Sequence, residues 1–353
     1  QAFVLQRIAE RNYSGDTLTD TVNGVFSFGN IWMLVFVMAA AVITALVTYH
    51  HMNSRAQTDF YNGQPVSRIN RFITDFVSGF AMLGIPLVAG WLITMGMTAL
   101  LAPRGSFMPG RALVVLLFLL LAYFIIYSFT IFAWVLCGNS VVAMLLTGTI
   151  FAYLPALFGG IMALCERFYE TFYVSDGWGW LILKSSPASG LIAFAVKKSG
   201  DNPNIQIGGL WLLGVSLVAL ALLAFSLLLY RRRKSEAAGK ALAFNTTKPI
   251  VKYGVTFVVT IFGGLLFDSI GGSVGWLIFG FLCGLILTTG IINVILTYDF
   301  KRFFQGWRAL IAFSAAFALF ILGVALDLTG YDKKLLTEDQ VKAVAISYSE
   351  LNN

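Results

Sequence analysis

The chain has 353 residues, of which 58% are hydrophobic and only 12% are charged. Soluble domains usually carry about 25% charged residues because a folded surface must be hydrated, so this composition excludes most soluble enzymes and predicts a membrane protein. The 24 Lys and Arg residues outnumber the 17 Asp and Glu residues. These basic residues lie between apolar stretches and are not interleaved with polar side chains that could recognise bases in the grooves of a nucleic acid, so we expect no nucleic-acid partner.

Eight apolar stretches are long enough to cross a membrane, since a helix needs about 20 residues to span about 30 Å of hydrocarbon. The sixth stretch is the shortest. Pro86 and Pro155 lie inside two others and are expected to kink those helices without ending them. We therefore predict an all-α integral membrane protein whose eight transmembrane helices cover residues 28–49, 76–101, 112–136, 140–164, 208–230, 251–268, 274–297 and 309–326.

A further apolar region, residues 176–198, consists of two pieces on either side of a polar break at residues 184–187. Each piece is too short to cross a membrane, which predicts an outer re-entrant hairpin. The alternative is an amphipathic segment lying in the interface, anchored by Trp178 and Trp180 at the depth of the lipid headgroups.

The basic residues indicate the orientation, because short loops rich in Lys and Arg stay on the cytoplasmic side. Alternate loops hold thirteen of the 24 basic residues, including the RRRK cluster that begins at Arg231. The chain is thus expected to be a multi-pass protein of the cell membrane, with residues 1–27 as an extracellular loop and residues 327–353 as the start of an extracellular domain. We also expect a further helix upstream of the first residue.

Motifs for catalysis are not evident in the sequence. The Gly239-Lys240 pair lacks the upstream glycine and the following Ser or Thr of a phosphate-binding loop, so no ATP binding and no enzymatic activity are expected. His50 and His51 are adjacent rather than four residues apart, which favours solvated interface residues over metal ligands. Acidic residues are scarce within the spans, which argues against an ion-coupled carrier.

Several residues near the spans have two interpretations. Asp268 ends the sixth span, where solvation at a helix terminus explains it better than a functional role. Gly280 and Gly284 form a small-residue face for helix packing, either within this subunit or in a dimer. The odd number of cysteines, all in or beside apolar stretches, predicts packing residues rather than disulfides: Cys137, Cys165 and Cys283.

The loop at residues 50–71 combines aromatic and charged residues. Aromatic side chains in a cytoplasmic loop favour docking into a protein groove, with charges at the rim. The alternative is an interfacial helix in which Arg55 and Arg68 contact lipid phosphates.

Within this loop, the sequence DFYNGQPVSR resembles the DFYHSLPVSR segment that often follows the second helix in permease subunits of type-two ATP-binding-cassette exporters. A second stretch, YRRRKSEAAGKALAFNTTKPIVKY, is similar to a segment of a Gram-positive branch with extra helices and an extracellular domain. FKRFFQGWRALI and DLTGYDKK are weaker matches. The residues of the first match are Ser54, Arg55, Asp59, Phe60, Tyr61, Pro65, Val66, Ser67 and Arg68.

The resemblance implies a six-helix exporter core whose first helix lies upstream. Residues 28–230 would then hold helices two to six, with a coupling loop at 50–75 and the hairpin between the fifth and sixth helices. A basic cytoplasmic loop at 231–252 and three additional helices within 253–326 would follow.

The resemblance also implies a function, that of a permease subunit moving an amphipathic peptide, antibiotic or lipid-like substrate outward. Its partners would be two cytoplasmic ATPase subunits, which hold ATP and Mg, a second identical or paralogous permease subunit, and membrane lipid; this chain itself would hold no cofactor. A sensing or signalling subunit that moves nothing is the alternative. The implied ATPase-coupling residues are Arg55, Asp59, Phe60, Tyr61, Pro65, Ser67 and Arg68. A second contact, with the ATPase or with anionic lipid, would involve Arg231, Arg232, Arg233, Lys234, Glu236 and Lys240.

Overall fold

The computed structural model describes residues 24, 26–101, 108–174, 176–200, 206–328 and 330–332. Over these residues the chain is helical apart from its turns, and the only β-type pairing among them is an isolated antiparallel bridge between Cys137 and Leu242. Most of the predicted extracellular loop and most of the predicted extracellular domain lie outside the described residues.

Eleven α-helices follow one another in the described part of the chain. Eight of them, α1, α3, α4, α5, α8, α9, α10 and α11, are long and apolar enough to cross a membrane, which confirms the prediction of an all-α protein with eight candidate spans. The helices are α1 (Ile31–Tyr49), α2 (Arg55–Asn62), α3 (Arg68–Leu101), α4 (Pro109–Leu136), α5 (Ser140–Phe168), α6 (Asp176–Ser185), α7 (Pro187–Ser199), α8 (Gly209–Arg232), α9 (Thr247–Gly271), α10 (Val274–Thr297) and α11 (Trp307–Ala325).

Two boundaries differ from the sequence-based prediction. Helix α3 begins eight residues before the apolar stretch, where the Ser67 hydroxyl accepts a hydrogen bond from the Asn70 amide at 3.2 Å. The sixth span was predicted to be the shortest, which is wrong: α9 has 25 residues, and α1 and α11, with 19 each, are the shortest of the eight. Pro249 lies in the first turn of α9, where a missing amide hydrogen costs no helical bond. Helices α3 and α5 continue through Pro86 and Pro155.

Helix α4 forms the centre of the bundle and packs against α1, α3, α5 and α8. A helix that is apolar on all sides is expected in such a position. The Tyr123 hydroxyl lies 3.0 Å from Thr44 Oγ1 on α1 and donates to the Gly79 carbonyl on α3 at 2.8 Å. Three helices are thereby fixed to one another by a single side chain.

Helices α9 and α10 form a close antiparallel pair. A Cβ atom added to Gly280 would lie 2.5 Å from the Gly263 carbonyl oxygen and 2.9 Å from Gly264 Cα, and one added to Gly284 would lie 3.1 Å from Thr260 Cα. The small-residue face therefore serves packing within the subunit, the first of its two predicted roles.

We expect Gly280→Ala to destabilise the protein by about 1–2 kcal/mol, because the overpacking cost exceeds the gain of about 1 kcal/mol in helix propensity. Gly214→Ala on α8 is the matched control, since no atom lies within 4 Å of its added Cβ. Thermal unfolding in detergent measures both variants. Equal melting temperatures for the two would contradict the assigned packing.

Between α5 and α8, the apolar region at 176–198 forms two short helices that meet at Ser186 and Pro187. The Trp211 indole in the first turn of α8 donates to the Lys184 carbonyl at 3.0 Å, and its ring covers Gly190. The structure thus contains the predicted break between the two apolar pieces, and Trp211 of α8 fixes its position.

At the opposite end of the bundle from the basic loops, polar contacts join distant segments. Asp268 accepts two hydrogen bonds from the Arg167 guanidinium at 2.6 and 3.3 Å, so it is paired rather than simply solvated as predicted. Asp332 accepts from the amides of Glu170 and Thr171 and from the Thr171 hydroxyl. The Thr171 hydroxyl bond lowers the pKa of the Asp332 carboxyl, so this contact persists at neutral pH and is lost only in acid.

All three cysteines are free. Cys137 is fully buried, and burial raises the pKa of its thiol to about 12. A thiol in that state is uncharged and serves packing, as predicted for this residue.

Candidate functional site

One end of the bundle carries most of the sequence-predicted site residues. Because successive spans alternate in direction, the ends of α1, α4, α8 and α10 lie beside the starts of α3, α5, α9 and α11. This end, called the basic end below, comprises residues 50–71, 137–140, 231–252 and 298–308.

The predicted coupling loop forms a short helix, α2, that is exposed on its outer side. Phe60 is 67% exposed and Asp59 beside it is also exposed. The turn after α2 is exposed too, including Pro65 and Ser67. Asp59 and Phe60 are therefore accessible to another molecule at the basic end.

The inner side of α2 packs against the turn that ends α1. The Thr58 hydroxyl donates to the carbonyls of His51 and Met52 at 3.1 and 3.3 Å. The centroid of the Tyr61 ring lies 4.8 Å from that of the His51 ring, and the Arg71 guanidinium carbon lies over the Tyr61 ring, 5.8 Å from its centroid. Tyr61 thus holds α2 on the bundle, whereas Phe60 faces away from it.

His51 is not solvated, which corrects the prediction from sequence. Its side chain is only 12% exposed, and its Nε2 lies 3.5 Å from Asp75 Oδ2. His51 is enclosed because α3 extends to Arg68, which brings Asp75 beside it, and because Tyr61 covers the ring. His50 is near the surface and its Nδ1 lies 3.2 Å from the Ser140 hydroxyl.

Two arginines of the coupling loop bind the second basic loop rather than projecting freely. Arg55 Nε donates to the Ala238 carbonyl at 3.2 Å, and Arg68 donates to the carbonyls of Arg231 and Arg233 at 3.3 and 2.8 Å. Gly239 adopts a φ of +83°, directly beside the Arg55 guanidinium, and this left-handed conformation favours glycine. The two loops therefore form one structural unit.

Arg233 was predicted as a surface contact, but the structure places it inside. It is 8% exposed and donates to the carbonyls of Met52, Trp134 and Val135 and to the Asn53 side-chain oxygen, at 2.9 to 3.4 Å. Trp134 and Val135 belong to the last turn of α4, whose dipole stabilises a cation. Burial lowers the pKa of Arg233 to about 10, so it stays protonated at neutral pH.

Backbone hydrogen bonds dock the second basic loop onto the turn between α4 and α5. Gly239 donates to the Gly138 carbonyl at 2.6 Å, and Gly138 donates to the Ala241 carbonyl at 3.3 Å. Ala243 donates to the Leu136 carbonyl at 2.8 Å. The remaining predicted residues of this loop stay exposed: Arg231, Arg232, Lys234, Glu236 and Lys240.

A small cavity of ≈ 30 Å³ lies where these elements meet, lined by His51, Tyr61, Arg71, Tyr230 and Arg233 among others. Arg71 forms a side-chain hydrogen bond with Tyr230. Because the side chains that line this cavity contact one another, we assign the cavity to the packing between the helices.

Within the described residues, no group of three or more His, Cys, Asp and Glu side chains is placed to hold a metal ion. The chemistry that these residues offer at the basic end is recognition: exposed aromatic and charged side chains on a firmly held helix. Sequence reasoning located α2 but missed the pairing of His51 with Asp75 and the buried role of Arg233. The spacing of Arg71 and Asp75, four residues apart on a helix, was a signal for part of this cluster.

No protein-family model, curated protein or solved structure matches the chain. The geometry of the basic end is therefore the basis for assigning a function.

Proposed function

We propose that the chain is the permease subunit of an ATP-driven exporter and that a cytoplasmic ATPase docks on α2. One observation carries the proposal: α2 presents Phe60 and Asp59 to the exterior while its other side is fixed to several helices. The resemblance of residues 54–68 to exporter coupling loops supports the same role.

The exposed side of α2 has the character of a docking surface. Protein interfaces concentrate their binding energy in a few aromatic or arginine anchors, with charged groups at the rim. Phe60 would provide the anchor and Asp59 the rim charge. Most of Tyr61 is occupied by contacts with His51 and Arg71, so it would position the helix rather than contact the ATPase first.

The hydrogen bonds behind α2 provide a route for movement. Arg55 ties α2 to the second basic loop, Arg68 ties the start of α3 to the same loop, and Arg233 ties that loop to the ends of α1 and α4. A displacement of α2 by a closing ATPase dimer would therefore move several spans together rather than bend one loop.

The orientation follows from charge. The basic end would face the cytoplasm, since Lys and Arg in short loops are retained there. ATP and Mg would be bound by the ATPase, and a second permease subunit would complete the path for an amphipathic peptide, antibiotic or lipid-like substrate.

The two short helices α6 and α7 would form a hairpin that dips into the outer half of the membrane. A Cβ atom on Gly159 of α5 would lie 3.9 Å from Ile182 of α6. Gly159 precedes Glu166, a charged residue near the outer end of α5, by seven residues, or about 10 Å along the helix. This depth supports the re-entrant interpretation over a segment lying flat in the interface.

The test replaces the two residues of α2 that are assigned to the docking surface, Asp59 and Phe60. We expect Asp59→Ala with Phe60→Ala to weaken association with the ATPase by roughly 30-fold, equivalent to about 2 kcal/mol at an interface anchor. The measurement is co-purification from native membranes, followed by titration of the ATPase onto the permease in nanodiscs.

Phe300→Ala is the matched control, because Phe300 is an exposed aromatic residue at the same end but on the turn between α10 and α11. The control should bind the ATPase as the wild type does. If the double variant and the control bind equally well, the role assigned to α2 is wrong.

A sensing subunit is the second candidate, and the Asp332 contact favours it. Residues 331–332 pack on the end of α5 through Asp332 and through stacking of Tyr331 on Tyr169 at 5.5 Å, so an outer segment is joined to a span. Uptake of candidate peptides into inverted vesicles with ATP separates the two functions. ATPase stimulation without any uptake would support sensing.

A further inference from the structure

A second feature lies away from α2, in a cavity of about 620 Å³ between α4, α5, α8, α9 and the tip of the α6–α7 hairpin. Ligand sites in proteins commonly have volumes of about 300–1,000 Å³. Its walls are almost entirely apolar, with Phe129, Leu146, Val215 and Val218 among them. Apolar walls of this kind suit a hydrocarbon chain.

Of the described residues that line this cavity, Lys184 alone is charged. It is half-buried at the tip of the hairpin, where its carbonyl accepts a hydrogen bond from Trp211. Among the described residues, none forms a hydrogen bond or ion pair with the Lys184 ammonium group. The backbone of this lysine is thus fixed, while its charge has no partner in the described part of the chain.

The position of Lys184 makes this charge costly. The neighbouring Ile182 reaches the level of Gly159, well inside α5. A cation at such a depth is unfavourable unless it is paired or solvated, and ionisable residues inside membranes commonly mark binding sites. An anionic group next to Lys184 would relieve the cost.

The cavity opens toward the surrounding bilayer. Leu154, Val218 and Ile250 line it and are also among the exposed apolar residues, at 42%, 51% and 69%. A molecule entering from this side comes from the membrane rather than from water. Between Leu146 and Leu154 the cavity follows α5 for about 12 Å, enough for much of an acyl chain.

We propose that this cavity binds an anionic phospholipid of the bilayer, with one acyl chain along α5 and α8 and the phosphate paired with Lys184. Charge complementarity selects an anionic lipid over a zwitterionic one, because the cavity offers one cation and no carboxylate. The site involves no residue of α2 and none of the residues assigned to ATPase docking, so this proposal and the ATPase-docking proposal fail or succeed separately.

The experiment uses the full chain in a neutral detergent and two probes with identical acyl chains, phosphatidylglycerol and phosphatidylcholine. Native mass spectrometry measures the occupancy of each lipid during titration. We expect Lys184→Gln to weaken phosphatidylglycerol binding by at least roughly tenfold, about 1.4 kcal/mol, and to weaken phosphatidylcholine binding much less, because the choline cation already offsets the phosphate of that lipid. Lys184→Arg should retain binding.

Lys197→Gln is the matched control, since Lys197 lies on the same hairpin but outside the cavity lining. Val218→Phe, which fills the cavity without changing the charge, should weaken binding of both lipids, and this variant keeps the test valid if Lys184→Gln does not fold. Equal phosphatidylglycerol binding by Lys184→Gln and Lys197→Gln would overturn the proposal. So would a co-purified peptide or fatty acid that phosphatidylglycerol does not displace, or undiminished binding by Val218→Phe.

Discussion

Replacing Arg233 by alanine should lower the free energy of unfolding by about 3–5 kcal/mol, the cost typical of removing one member of a buried charged network. The change leaves the carbonyls of Met52, Trp134 and Val135 without their donor in a site that water reaches poorly. An unsatisfied buried acceptor bears its full desolvation penalty. Arg233→Lys should recover only part of the loss, because an ammonium group cannot reproduce the fork of a guanidinium.

Chemical or thermal unfolding in detergent measures this loss, and Arg232→Ala is the matched control. Arg232 is adjacent in sequence, equally basic and exposed, so its removal should change the stability by less than about 0.5 kcal/mol. If Arg233→Ala and Arg232→Ala unfold at the same temperature, the buried network contributes no stability and the route from α2 to the spans loses its central link.

Gly138→Ala should destabilise the protein by about 3 kcal/mol, at the upper end of overpacking costs. An added Cβ would lie 2.0 Å from the Ala237 carbonyl oxygen and 2.5 Å from that of Lys240. These are backbone atoms of a hydrogen-bonded loop, so no side chain can rotate to make room. The loop must move away from the turn between α4 and α5.

That movement also has a functional consequence. Ala238, which accepts the hydrogen bond from Arg55, belongs to the displaced loop, so α2 should lose one of its supports and ATPase stimulation should fall. Gly208→Ala is the control, because Gly208 also lies just before a helix and no atom lies within 4 Å of its added Cβ. Equal unfolding temperatures and equal ATPase stimulation for the two variants would contradict this account of the loop.

The spans could be predicted from sequence because crossing a membrane depends mainly on the length and apolarity of a local stretch. The eight candidate spans and the break near Pro187 were therefore predictable. The extent of α9 was not, because its first turn contains Lys248 and Pro249, residues that do not belong to an apolar stretch. Lys252, in the second turn, is buried on the helix that packs against α10.

The details of the candidate site depend on residues far apart in the chain, and a single sequence does not reveal such pairs. Arg233 meets Met52 across 181 positions, and Arg167 meets Asp268 across 101. Charge patterning predicted Arg233 as an exposed member of a basic cluster, and the other three residues of RRRK are exposed in the structure. Arg233 is buried because the ends of α1, α4 and α8 meet around it, which the pattern of charges in the sequence does not reveal.

Helix α5 connects the basic end of the bundle with the opposite end. One end is held by Asp332 and Tyr331, and the other end begins two residues after Gly138, which docks the second basic loop. At 29 residues, the helix is about 43 Å long. A pull on the segment that follows α11 would thus be shared between α11 and α5, and the share borne by α5 would arrive beside the loop that supports α2.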